Sequence, residues 1–208
     1  MCEDLFGMIE WLGHSAFRIS ASATIYIDPY EIPEGPMADI ILISHSHYDH
    51  CSPDDVKKIQ KKDTVIITEK TSVKKLSGDV RAVHPGDSVV ISGVTIDIVP
   101  AYNINKTFHP KKNGWIGFVI TINGKKIYHT GDCDLIPEMD SIKADIALLP
   151  VSGTFVMTPQ EAAKAALVIK PKIAIPMHYG EVVGNEKDAA AFKKELIGKI
   201  DVRILNKK

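Results

Sequence analysis

Three histidines and an aspartate fall within six consecutive residues, His45-Ser46-His47-Tyr48-Asp49-His50, directly after the apolar run Ile40-Ile41-Leu42-Ile43. Imidazole and carboxylate groups are donors for divalent metal ions. Alternate residues of an extended backbone share a face, which sets His45 and His47 on one side of the chain. Asp49 and His50 follow as the chain bends. A solvated polar loop accounts for one such histidine. Four potential ligands at the end of an apolar strand point to a metal centre instead.

The elements that must position these groups can be read on either side of them. Ile40 to Ile43 has no polar relief and reads as a strand buried on both faces. Ser52 caps the helix that follows, expected over 54–62 with Pro53 at its first position. Two more apolar segments end in the same way: Ile127-Tyr128 leads to Gly131-Asp132, and Ile173 to Ile175 leads to His178. A fourth, Val94 to Val99, opens onto a long loop, 101–114, that carries Asn103 and His109. Loops of that length in a compact domain are often functional, and ligands gather at the carboxyl ends of strands in α/β architectures.

Short strands are expected over 8–12, 16–19 and 24–27, a helix over 69–76, and a β-meander over 80–100. A hairpin over 115–128 turns at Asn123-Gly124. Thr158, Pro159 and Glu161 form the start of a helix with a capping box, turning Ala162, Ala163, Ala166 and Leu167 inward. An amphipathic helix over 188–197 and a strand over 202–205 close the chain. Strands followed by β-α-β in each half imply two packed sheets with helices outside.

The 208 residues suggest one domain, 1–208, of two similar halves. A net charge of −1 argues against a nucleic-acid-binding surface over the whole molecule. No apolar segment approaches the roughly 20 residues that span a bilayer, and Met1-Cys2-Glu3-Asp4 has no signal-peptide character. Cys2, Cys51 and Cys133 form no disulfide framework and suit a reducing compartment. The expected location is the cytoplasm.

His-x-His-x-Asp-His, then Gly131-Asp132, then a strand ending in His178, resembles the metallo-β-lactamase superfamily over nearly the whole chain. The opening Trp11-Leu12-Gly13-His14-Ser15-Ala16-Phe17, with Ile27-Asp28-Pro29, is similar to a branch of small zinc-dependent hydrolases that includes ascorbate-6-phosphate lactonase-like proteins. The N-acyl phosphatidylethanolamine-hydrolysing branch has similar openings. The resemblance implies an α+β fold, the αβ/βα four-layer sandwich, with one or two metals in a cleft at the edge of the sheets.

It further implies that His45 and His47 hold a first ion, that Asp49, His50 and His178 hold a second, and that Asp132 bridges them. Where a third histidine of the first site commonly stands, this chain has Asn103. His109 in the same loop is the candidate to replace it, with Asn103 itself open as a weaker ligand or a substrate contact. The implied activity is hydrolysis of a small ester, lactone or phosphoester by a hydroxide shared between two zinc ions, with Asp49 orienting the hydroxide and taking a proton. The donor set also admits Mn2+, Fe2+ or Ni2+. The alternatives are a non-catalytic metal- or ligand-binding protein of the same fold, and a minimal nuclease or phosphodiesterase; the near-neutral charge counts against the latter.

Several residues carry weaker signals. His14 reads either as a hydrogen-bonded support for a ligand or as a substrate contact. Tyr179 and Tyr102 read as donors to a developing oxyanion or as an aromatic rim. Asp28 ties a turn or orients a ligand histidine, His129 reads as a packed imidazole, and Cys51 and Cys133 as small buried hydrophobes. Lys106, Lys111 and Lys112 beside Phe108 and Trp115 raise an anionic small-molecule substrate. Oligomeric state leaves no mark in the sequence.

Overall fold

The computed structural model describes residues 2–208. After a short helix, α1 (Cys2–Phe6), the strands β1 (Ile9–Gly13), β2 (Ala16–Ser20) and β3 (Thr24–Ile27) pair antiparallel. The pairing then turns parallel: β4 (Ala38–Ile43) joins β3, α2 (Pro53–Ile59) crosses over, and β5 (Gln60–Thr68) and β6 (Asp79–Ala82) extend the sheet. The second sheet repeats that plan. β7 (Ser88–Ile91), β8 (Val94–Pro100), β9 (Ile116–Ile122) and β10 (Lys125–His129) are antiparallel. β11 (Ile146–Pro150), α3 (Pro159–Ile169), β12 (Ile173–Met177), α4 (Glu186–Glu195) and β13 (Asp201–Val202) complete it with parallel strands.

The result is the α+β sandwich expected from the order of elements. β4 shows how the two sides of a sheet are filled. Ile40 and Leu42 join the apolar core shared with the second sheet, while Ile41 and Ile43 pack with Val56 and Ile59 of α2. All four are fully buried, and truncating one to alanine costs about 2–5 kcal/mol in such a setting. The strand is therefore a rigid support for the residues that follow it. Asn123 and Gly124 both have positive φ, 49° and 73°, as a two-residue hairpin turn demands. Thr158 and Glu161 form the capping box of α3 as expected.

Five expectations are corrected. The meander over 80–100 is divided between sheets: β6 lies parallel to β5 in the first, and β7 opens the second. The helix over 69–76 reduces to one turn at Val73–Lys75, because the Glu69 carboxylate takes the Thr71 and Ser72 amides and hydroxyls and so competes with helical pairing. α2 stops at Ile59, and Gln60 already belongs to β5. On α3, Leu167 is 40% exposed while Ala165 and Ile169 turn inward. At the chain's end, only Asp201–Val202 is strand. Among the described residues, no helix is long and apolar enough to cross a membrane.

Candidate metal centre

The parallel registers align the carboxyl ends of β3 and β4 in one sheet and of β10, β11 and β12 in the other. The Ile116 amide donates to the Ser44 carbonyl (3.2 Å), linking the sheets beside these ends. Gly131, which precedes Asp132, has φ 61° and lies so close to β9 that a Cβ there would stand 2.7 Å from the Ile116 carbonyl oxygen. Only glycine fits that approach.

Asp28, at the end of β3, organises the neighbouring strand end. Its Oδ1 accepts from the Ser44 amide (2.7 Å), and its Oδ2 accepts from Ser44 Oγ (2.6 Å) and from His50 Nδ1 (2.8 Å). Ser44 Oγ in turn faces His45 Nδ1 at 2.9 Å. His109 Nδ1 donates toward Asn103 Oδ1 (3.0 Å) and the Phe155 carbonyl (3.2 Å). His178 Nδ1 pairs with Ser152 Oγ at 2.9 Å. With Nδ1 engaged by acceptors, the ring's other nitrogen is the one left to face a metal, as a lone pair once any proton on it is displaced.

Those freed nitrogens converge. The Nε2 atoms of His50, His109 and His178 lie 3.3, 3.3 and 3.0 Å from Asp132 Oδ2. All three, and Asp132 Oδ1, are buried without a hydrogen-bond partner among the described residues. Buried polar atoms are rarely left so. His45 Nε2 and His47 Nδ1 stand 3.0 Å apart. Donor atoms within 4.8 Å of one another form three overlapping groups: His45, His47 and His109; His45, His50 and Asp132; and His14, Asp49, His50 and His178. The chemistry of the set, six imidazoles and two carboxylates, fits divalent transition ions.

The electrostatics follow from burial and charge. Burial pushes His45 well below the ordinary imidazole range and lowers His47. His14 falls to about 4, again through burial, so its ring is neutral and donates from Nε2 to Asp49 Oδ2 at 3.1 Å. Burial opposes charge on Asp49, but that bond and His50 outweigh it, lowering its carboxyl to about 2. Burial also opposes charge on His50, yet Asp132 and Asp28 hold it well above the usual range. Asp132 stays ionised, its burial overcome by His178 and His50.

Every histidine and carboxylate expected at the metal is thus brought together, and His109 rather than Asn103 presents a donor beside Asp132. Asn103 accepts at its oxygen from His109 and donates its amide to Asp134 and the Phe155 carbonyl, so both its polar atoms are taken up by protein partners. Tyr179 is buried against Trp11, ring centroids 4.9 Å apart; it lines a separate pocket of about 510 Å³. Tyr102 donates to Glu138 instead of facing the cleft. His129 is packed, its Nε2 facing the Ser15 carbonyl at 3.0 Å. Ser44 and Ser152 were not singled out by sequence reasoning. Their positions just past apolar strands are the signal that could have found them.

His47, Asp49, His109 and Asp132 form one side of a cavity of about 310 Å³ that opens to solvent. Trp115 backs the histidines, its ring 4.7 Å from those of His45 and His47.

An α+β sandwich with a histidine–aspartate cluster at the strand ends defines a class of metal-binding proteins. The family model described as a beta-lactamase superfamily domain matches residues 8–178, and the chain belongs to the metallo-β-lactamase superfamily. It is similar to a UPF0173 metal-dependent hydrolase of Methanoculleus marisnigri, 33% identical across 94% of this chain and 91% of that one. Among solved structures, it resembles a protein of Parabacteroides distasonis described as a metal-dependent hydrolase, with 37% identity, TM-score 0.86, and 95% and 93% of the two chains covered. A Thermotoga maritima protein described as a zinc-dependent hydrolase of the superfamily is 26% identical, with TM-score 0.66 over 95% and 97% of the chains.

Proposed function

We propose that this chain is a metal-dependent hydrolase with two zinc ions, acting on a small ester, lactone or phosphoester. The observation that carries the reading is the set of buried, partnerless nitrogens on His50, His109 and His178, whose opposite ring nitrogens are each tied down. The hydrolase names of the relatives support it, and the Thermotoga protein's description supports zinc. His45, His47 and His109 would hold one ion, Asp49, His50 and His178 the other, with Asp132 between them. Bound there, divalent ions would supply Lewis acidity and bring the pKa of water to about 7.

The chain's own groups complete the reaction. Asp49, kept ionised by the His14 contact, orients the nucleophile and accepts the proton that the leaving oxygen later takes. Asp28, Ser44, Asn103 and Ser152 hold the imidazoles in place. The antiparallel-then-parallel plan of both sheets around a shared core supports reading residues 1–208 as one domain of two similar halves.

Metal analysis of the purified protein, followed by a panel of esters, lactones and phosphoesters, tests the proposal. Stoichiometric metal, with turnover lost in Asp49→Asn, is the expected result. Reconstituted protein that hydrolyses nothing in the panel overturns it.

A further inference from the structure

The cavity beside the metal-binding cluster has walls of a different character from its floor. Tyr48, Phe108, Phe155 and Val182 line it, and Tyr48 and Phe108 are 63% and 47% exposed. Isolated exposed apolar side chains are ordinary, but large ones gathered around a concave site mark a binding surface. These rings are also held in place. Phe108 meets Phe155 edge to face with centroids 4.7 Å apart, and Tyr48 meets Tyr30 in the same way at 5.7 Å. A wall that is already ordered loses little conformational freedom when a ligand arrives.

The nearby cations are committed elsewhere. Lys106 pairs with Asp134 at 2.5 Å. Lys111 pairs with Glu138 at 2.9 Å and lies over the Tyr102 ring. Lys75 donates to the Ser46 carbonyl. Lys112 is exposed and does not line the cavity. The basic loop that suggested an anionic substrate therefore puts no ammonium group on the walls. A phosphate or carboxylate tail seated there would lose part of its hydration and gain no partner. The volume, about 310 Å³, is roughly ten waters' worth: room for a short alkyl chain or one ring.

The geometry points to a neutral substrate whose non-reacting part is a short apolar group, packed between Tyr48, Phe108, Phe155 and Val182 with the scissile bond toward Asp132. This rests on the hydrolase reading for what is done to the substrate, but the apolar recognition can be measured without turnover.

Two experiments separate the claims. In the first, NMR titration of metal-free protein follows binding of N-alkylacetamides from ethyl to hexyl, 6-acetamidohexanoate and hexyl phosphate. The expected result is affinity rising about two- to fourfold per methylene, as apolar burial gives, with both charged analogues at least about tenfold weaker than the neutral amide of matched length. Phe108→Ser should flatten the length series, and Val182→Lys should improve binding of the carboxylate relative to the neutral amide. Affinity independent of length, or charged analogues binding as well as neutral ones, overturns the inference.

In the second, metal-loaded protein is offered the 4-nitrophenyl esters of acetate, butyrate and hexanoate, the monoester of glutarate, and bis(4-nitrophenyl) phosphate. Preference for the longer neutral acyl esters agrees with the inference, and preference for either anionic substrate overturns it. No turnover beside an intact binding series sinks the hydrolase reading while the apolar recognition stands.

Discussion

His45, His47 and His109 meet as three imidazoles, of which His45 and His109 are steadied by neutral acceptors: Ser44 Oγ, Asn103 Oδ1 and the Phe155 carbonyl. A few ångströms away, His50 and His178 share their surroundings with Asp49, and the Asp28 carboxylate takes the His50 Nδ1 proton. The first group is all nitrogen and partly open, since His47 is half-buried; the second is closed in by charge. Charge-assisted hydrogen bonds are about twice as strong as neutral ones, so the His50 ring is fixed more firmly than the imidazoles of the first group, and Asp132 and Asp28 hold it above the usual range. Asp132 stands against histidines of both sides. The difference teaches that one cluster can hold its imidazole donors with unequal firmness by varying what stands behind them.

The largest break in that comparison comes at the shared residue. Asp132→Ala should leave neither ion bound through gel filtration, with activity lost, as elemental analysis and assay will show; loss of only one equivalent would contradict a bridging position. Asp28→Asn and Asn103→Ala then probe the two sides separately. Removing the support of a ligand histidine costs about 10–100-fold in metal affinity, and Asp28→Asn should fall near the upper end and Asn103→Ala near the lower. Competition with a chromophoric chelator measures both, and equal losses would remove the asymmetry.

Proton release sharpens it further. His50 is held well above the ordinary imidazole value of 6.5, whereas His45 lies well below it. A metal binds neutral imidazole, so filling the second position near neutrality should expel about one proton from His50, and filling the first should expel none from His45. Affinity at the second position should rise about tenfold per pH unit above 6.5, up to the folded pKa of His50. In metal-free protein the sign is opposite for stability: the raised pKa of His50 stabilises the fold fully below 6.5 and is lost as pH rises through the folded value. Calorimetry in buffers of differing ionisation enthalpy, with melting curves against pH, checks both statements. The smallest effect lies far from the cluster. Thr158→Ala removes the cap of α3 and should cost about 1 kcal/mol, lowering Tm by roughly 2–4 °C with metal content unchanged.

The strands that deliver ligands were legible because their signals are local. Ile40–Ile43 is uniformly apolar, Asn123-Gly124 dictates its own turn, and His45 to His50 are adjacent in sequence. Asp28 was legible for the same reason, as a carboxylate before a proline that ends a strand. The supports were harder. Ser152 meets His178 across 26 residues, and Asn103 reaches the Phe155 carbonyl across 52; nothing in either neighbourhood announces the pairing. Lys106 and Lys111 looked available as cations because Asp134 and Glu138 stand 28 and 27 residues away. Tyr179, next to His178, faces Trp11 because left-handed backbone at His178, φ 61°, redirects the chain just before it. β6 was misplaced for a related reason: a strand's pattern tells which face it buries, but not which sheet receives it.

The donors come from points as distant as His14 and His178, and both sheets contribute to them. A nascent chain that stops short of β12 lacks His178, and one that stops short of β8 lacks His109 and Asp132 as well. The full donor set therefore closes only when β12 has docked beside β11, so a completely filled site would report a finished fold.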